Sequence, residues 1–252
     1  MQIKIRDIYS YIDGIAPYDN QMEWDNSGLM TGSMDDAVSS VMLSLDCTNS
    51  VIDQAADMGC GLIINHHPLI FHPAKSVDRG TPLYNAVRKN ISVLCAHTNL
   101  DAADDGVNTV LCRILGIENR SPLFAEGKSI LRMGEVTETS AAEFAEFVAD
   151  KLNNSVKYFD GGRPVKKVAV CGGAGGEYTP LVFEAGCDTF VTGEAHHHEF
   201  LLAENLGLNL ISAGHYATEN PVISFLKDKL EENFPNLKVY IAETENPYKT
   251  II

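Results

Sequence analysis

Short apolar runs alternate with amphipathic stretches along nearly the whole chain. Ile5, Ile8, Tyr9 and Ile12 recur at helical spacing and stop at Gly14, which predicts a helix over 3–14. Next come a strand over 41–45, a helix over 49–58 and a strand over 61–65. That βαβ order calls for parallel strands, because an antiparallel pair needs no helix between its members. A helix over 81–90, a strand over 91–96 and a helix over 106–115 continue it. The stretch 16–32 is read as a polar loop, and its lone tryptophan, Trp24, as a packing anchor rather than a substrate platform.

The pattern lapses into a polar connector over 116–127, which sets the boundary between two lobes, 1–124 and 125–252. Beyond it a strand is expected over 131–136 and a helix over 140–152. Ser140 is placed as N-cap of that helix, with Glu143 as its capping-box partner. Strands over 167–171, 187–192, 208–212 and 237–242 then alternate with helices over 178–185, 200–206 and 220–233. The fold class is α/β: two similar lobes with mixed or mainly parallel sheets flanked by helices. The halves also echo each other in detail. Met58-Gly59-Cys60-Gly61 before one strand matches Ala185-Gly186-Cys187-Asp188 before another, and the following strands end in His97-x3-Asp101 and His215-x3-Glu219. A duplication with a metal site at the lobe junction accounts for this, and chance likeness between α/β segments is the rival reading.

Composition narrows the picture. The 252 residues, 45% hydrophobic and 21% charged, can bury one large core or two ordinary ones. No apolar run approaches the roughly 18 to 20 residues of a membrane span. The start of the chain lacks the apolar segment of a secretory signal. The six cysteines form no CxxC pair and lie in or beside apolar runs, so they read as reduced core residues of a cytoplasmic protein. A net charge of −15 argues against nucleic acid or an anionic membrane as partner, since such binding draws on clustered Lys and Arg.

The candidate chemistry lies where strands end. The run 61–65 breaks into His66-His67-Pro68, and the run before His97 breaks into His97-Thr98-Asn99-Leu100-Asp101. Later runs break into Gly193-Glu194-Ala195-His196-His197-His198 and Gly214-His215-Tyr216-Ala217-Thr218-Glu219. Imidazoles with carboxylates at the carboxyl ends of strands point to a metal site. Adjacent side chains on a regular strand face opposite ways, so His66 and His67 serve one site only if the strand ends there or two ions lie side by side. Plainer readings exist: His97 and Asp101 as loop residues, Glu219 as a helix-start acid near Pro221. Three consecutive histidines cannot share one site, so one or two of His196, His197 and His198 are kept as outer groups or substrate contacts. Gly172-Gly173-Ala174-Gly175-Gly176 does not fit a dinucleotide fingerprint cleanly, and a loop letting backbone approach a metal-bound substrate or the other lobe fits at least as well.

These motifs, together with Trp24-Asp25-Asn26-Ser27-Gly28-Leu29 and Asn65-His66-His67-Pro68-Leu69-Ile70-Phe71, resemble the Nif-three-like dinuclear metal-centre proteins, also called GTP cyclohydrolase type 2 homologues or YbgI-type proteins. The likeness runs nearly the full chain, in a short form without a middle insertion. It implies a toroidal homohexamer of two-lobe protomers, each with two divalent metal ions. By the resemblance, His67 and Asp101 hold one ion, His66 and His215 the other, and Glu219 bridges.

Independently, imidazole and carboxylate ligands without thiolate suit Zn, Fe, Mn, Co or Ni. Two-metal sites activate water for attack on carbon or phosphorus. The expected function is therefore a metal-dependent hydrolase of a small molecule such as a nucleotide, with GTP cyclohydrolase-like ring opening as the reaction the resemblance suggests and His97 as acid/base or outer group. The alternative is a metal-binding regulatory or interaction protein without turnover.

Overall fold

In chain order, the elements begin with α1 (Ile5–Ile15), β1 (Gly28–Thr31), β2 (Ser40–Ser44), α2 (Asn49–Asp57), β3 (Leu62–Asn65), α3 (Pro82–Arg88), β4 (Ser92–Cys95) and α4 (Thr98–Ala102). They continue through α5 (Val107–Ile114), β5 (Glu118–Ala125), β6 (Lys128–Thr139), α6 (Ala141–Leu152), β7 (Lys157–Phe159) and β8 (Val165–Cys171). Then come α7 (Thr179–Glu184), β9 (Thr189–Thr192), α8 (His197–Leu206), β10 (Asn209–Ser212), α9 (His215–Glu219), α10 (Pro221–Asn233) and β11 (Lys238–Ile241). The structure, a computed structural model, describes residues 2–249. Its contacts divide the chain into two units: the first runs to Asp104 and takes in Val222–Glu245, and the second holds Asp105–Pro221 and residues 246–249.

The sheet of the first unit has the order β1-β4-β3-β2-β11. As the βαβ pattern requires, β2, β3 and β4 are parallel. They are buried along their whole length, which is why each reads as a near-continuous apolar run. On one face Met42, Ile63 and Val93 pack with Val51, Ile52 and Ala55 of α2 and Ala86 of α3. Each of the Val, Ile and Met side chains contributes about 1.5–3 kcal/mol on leaving water, and the alanines less. Helix α2 starts where the Thr48 hydroxyl accepts from the Val51 amide at 3.3 Å, and it stops ahead of Gly59 at φ +68°. The register pairs Ser44 with Asn65 and Asn65 with Cys95, so the carboxyl ends of the three strands are level.

In the second unit the order is β5-β6-β8-β9-β10-β7, with β8, β9 and β10 parallel. Here too the carboxyl ends are level, Cys171 opposite Thr192 and Thr192 opposite Ser212. The capping box of α6 forms as expected: the Ser140 hydroxyl accepts from the Glu143 amide at 3.2 Å, and the Glu143 carboxylate accepts from the Ser140 amide at 3.1 Å. Phe144, Ala145 and Val148 of that helix close over Val168, Val170 and Val191.

The chain divides differently from the sequence expectation of 1–124 and 125–252. Strand β11 pairs in parallel with β2, so the last helix and strand return to the first unit. At the other break, the supposed connector 116–127 is mostly β5, the outer arm of a hairpin with β6. That hairpin turns at Glu126 and Gly127, both with positive φ. Strands β1 and β7, also missed, are short edge strands that pair antiparallel with β4 and β10. No disulfide forms, and all six thiols are buried. Among the described residues no helix is long and apolar enough to cross a membrane.

Candidate metal centre

The level carboxyl ends of β2, β3 and β4 place Asp46, His66, His67 and His97 along one edge of the first unit's sheet. Strand β3 stops at Asn65, and the chain then bends: the His66 and His67 amides both reach the Leu45 carbonyl, at 3.1 and 2.9 Å. The Asn65 side-chain amide donates to the His67 carbonyl and braces the corner. Pro68 holds the residue before it extended. Adjacent imidazoles therefore share one neighbourhood: the His66 and His67 rings lie 5.1 Å apart, and the His97 ring is 5.1 Å from His66 and 5.6 Å from His67.

Each ring is held through Nδ1. His66, fully buried, has Nδ1 2.9 Å from the Ala96 carbonyl, which can only accept, so Nδ1 carries the proton. His67 Nδ1 lies 2.8 Å from Asp46 Oδ1, and His97 Nδ1 lies 2.8 Å from Asp25 Oδ1. An imidazole whose Nδ1–H is committed to an oxygen offers Nε2 as the ligating nitrogen, an arrangement that metal-binding histidines usually show. One ligand atom from each of the three comes within 4.8 Å of the other two. Asp101, one turn into α4, puts Oδ1 3.7 Å from His66 Nε2. The donor set thus fits a divalent first-row ion, and the chain carries His and Glu groups that could bind one. No thiol belongs to these ligand groups; burial, then the Asp46 charge, push Cys47 up to about 12, and burial raises Cys95 well above the ordinary thiol value.

Asp25 is the hub behind His97. Its side chain is shielded from solvent, and burial alone would raise its pKa. Hydrogen bonds from His97, from the Thr98 hydroxyl and from the Asn26 amide outweigh burial and hold the carboxyl well below the usual range. The Thr98 amide and the Ser27 hydroxyl also donate to it, each at 3.0 Å.

In the second unit His215 and Glu219 are the first and last residues of α9, one helical turn apart. His215 Nε2 lies 3.0 Å from Glu219 Oε2, and its Nδ1 lies 3.3 Å from Glu194 Oε1. Glu219 is buried. The glycine loop after β8 closes over this pair: a Cβ on Gly173, at φ +65°, would come 2.1 Å from Glu219 Oε1. The close approach that glycine permits here is to Glu219 of the same unit.

Sequence reasoning gave no role to Asp25 or Asp46. Asp46 follows the end of β2 as His67 follows the end of β3, and that periodicity was the available signal. Trp24 is not a packing anchor: it is 52% exposed and meets Phe71, itself 43% exposed. His196, His197 and His198 are all exposed at the start of α8, where the His196 amide donates to Glu199 at 2.6 Å. Beside His67 a cleft of about 640 Å³ is lined by Asp46, Thr48, Ser50, Pro68 and Thr81.

The pattern of the family Duf34/NIF3 (NGG1p interacting factor 3) matches residues 3–247. A protein of Clostridium acetobutylicum named GTP cyclohydrolase 1 type 2 homolog is 31% identical, over 92% of this chain and 91% of its own length. One of the same name from Campylobacter jejuni is 32% identical over 98% and 99%. Among solved structures, the Staphylococcus aureus hypothetical protein SA1388 is similar over 100% of both chains, with a TM-score of 0.91 and 28% identity.

Proposed function

Since the chain belongs to the Duf34/NIF3 family, and since the His66 and His67 imidazoles of its first unit are oriented as metal ligands, we propose that it is a metal-dependent hydrolase with a dinuclear centre. His66, His67 and Asp101 supply the ligands of the first unit, and His215 and Glu219 those of the second. The observation that carries this reading is that His66 and His67 each hold Nδ1 against an oxygen and so offer Nε2 as the ligating nitrogen, within one cluster of candidate ligands. When bound, a pair of divalent ions supplies Lewis-acid polarisation and a nucleophile at neutral pH. The substrate is a small molecule of the nucleotide class, in keeping with the name borne by the relatives, and GTP cyclohydrolase-like ring opening is the reaction proposed. By the resemblance, the working form is a cytoplasmic homohexamer.

The chain's own residues add proton transfer and positioning. His97, with Nδ1–H on the ionised Asp25 carboxylate, can take a proton at Nε2, and Asp25 stabilises the imidazolium that results. Asp46 does for His67 what Asp25 does for His97: it fixes the tautomer and the ring plane. The cleft beside His67 falls in the size range of small-molecule sites.

Elemental analysis and calorimetric metal titration test the reading, together with an activity screen against GTP, other nucleotides, phosphoesters and small amides. The expected result is about two transition-metal ions per chain, as two-metal hydrolysis needs. Glu219→Gln should weaken both sites together, because a neutral amide loses the charge that offsets repulsion between the ions. His97→Ala should keep its metal and lose about ten- to a hundredfold in rate. A chain that takes up no Zn, Mn or Fe overturns the metal centre. A loaded chain inert to every substrate overturns the hydrolase and favours the non-catalytic metal-binding reading.

A further inference from the structure

We propose that Trp24 and Phe71 form a stacking platform for a planar fused heteroaromatic ring, the size of a purine, and hold that part of the substrate beside His97. The proposal rests on the site reading above and names its substrate class. The two rings meet at 5.7 Å between centroids, tilted by 35°, and both stay about half exposed. Each also lies against His97, Trp24 at 6.1 Å and Phe71 at 6.3 Å. A single exposed aromatic is ordinary on a protein surface, but two in contact, at the edge of a ligand cluster, form a patch.

The backbone beneath the patch is fixed. Asp25, next to Trp24, is bound to His97 and to Thr98. Asn26, the residue after, donates from its side chain to the Ile70 carbonyl at 2.6 Å, which ties the tryptophan loop to the segment carrying Phe71. Ser27 accepts from the His97 amide at 3.1 Å. The indole therefore sits on a loop anchored on both sides, yet its face is left to water. Fixing an aromatic while exposing it sacrifices the burial that would otherwise stabilise the fold, and a preorganised ligand surface gives that arrangement a use. A fused ring covers more of an indole face than a single ring does. The two ring faces match a flat π-system by offset stacking.

The chain's only tryptophan is Trp24, so its fluorescence reports on this patch alone. Zinc-loaded protein is titrated with guanosine 5′-monophosphate and, separately, with ribose 5-phosphate, with metal content measured on the same samples. The nucleotide should quench Trp24 saturably and the sugar phosphate should not. Phe71→Ala, at an exposed position, should weaken nucleotide binding about tenfold, within the range found for base stacking on aromatic residues. Trp24→Leu, followed by calorimetry, should do at least as much while its metal content stays unchanged. Equal quenching by ribose 5-phosphate, no quenching by the nucleotide, or Phe71→Ala binding within about twofold of wild type would each overturn the platform. No quenching from protein carrying its full metal sinks the platform and spares the metal centre; full quenching from protein that takes up no metal does the reverse.

Discussion

The two units lead into their middle strands in the same way and leave them differently. On the way in, Gly59 and Gly186 end the preceding helices at φ +68° and +72°. The carbonyls of Gly61 and Asp188 then each accept from the first residue of the next parallel strand, Ser92 and Asn209, both at 3.0 Å. On the way out, the first unit places His66 after Asn65 and His97 two residues after Cys95. The second places Gly193 after Thr192 and glycines after Cys171. One repeated frame thus carries two solutions. Where the first unit brings side chains to a common point and fixes each by an oxygen behind it, the second strips its strand ends to backbone so that the loops can close over Glu219. Topology recurs because the sheet must be buried on both faces, and the chemistry of the strand ends stays separable from it.

The sharpest break of this comparison is Gly193→Ala. At the position where the first unit holds an entire buried imidazole, a second-unit Cβ would lie 2.6 Å from the Gly173 carbonyl oxygen and 2.7 Å from Thr218 Oγ1. The carbonyl is backbone and cannot swing aside, so the variant should lose about 3 kcal/mol or more. Urea unfolding measures it, and a midpoint matching wild type would mean that the loop is not packed as described.

Asp25→Asn comes next and tests the first unit's way of fixing an imidazole. The carboxylate accepts charge-assisted hydrogen bonds that a neutral amide accepts less well, so the loss should be about 2 kcal/mol at neutral pH. The pH dependence has a definite sign. The folded carboxyl is held below its ordinary value of 3.8, so ionised Asp25 stabilises the fold at every pH above that value. The contribution is then lost as the pH falls through the unfolded value towards the folded one. In chelator-treated protein, the stability gap between wild type and Asp25→Asn should hold down to about pH 5 and shrink below about pH 4. A gap that widened on acidification would refute the account.

What the sequence made legible follows the same division between frame and strand end. The parallel strands β2, β3 and β4 were readable because burial on both faces leaves them mostly apolar, and β8, β9 and β10 through their apolar centres, Val168-Ala169-Val170, Phe190-Val191 and Leu210-Ile211. The hairpin was not: β5 carries Glu118, Asn119, Arg120 and Pro122, is largely exposed, and reads as loop by composition. The polar end of β6 likewise ran past its expected limit. Of the site, the residues with intrinsic chemistry stood out, His66, His67, His97, Asp101, His215 and Glu219. The groups that orient them did not, because an aspartate in a loop looks alike whether it is solvated or, as with Asp25, fully engaged. Trp24 was misjudged for a related reason: residue type alone carries the average burial of tryptophan, not the anchoring of its loop on either side.

The mildest test returns to the turn that leads into each middle strand, where Gly61 and Asp188 occupy the same place. Asp188 uses its carboxylate to accept from the Lys167 amide and the Thr189 hydroxyl, both at 2.7 Å. Asp188→Ala should therefore cost about 1 kcal/mol. Gly61 offers no such bond, its φ lies outside the left-handed region, and a Cβ there would meet only Val38 Cγ1, at an ordinary 3.5 Å. Alanine at that position restricts the unfolded chain without straining the folded one, so Gly61→Ala should raise stability by about 0.5 kcal/mol. The two substitutions should shift the urea midpoint in opposite directions. Destabilisation by Gly61→Ala as large as that of Asp188→Ala would show that the two turns are not built alike, and the likeness of the two frames would then fail at the point where the backbone bonds make it strongest.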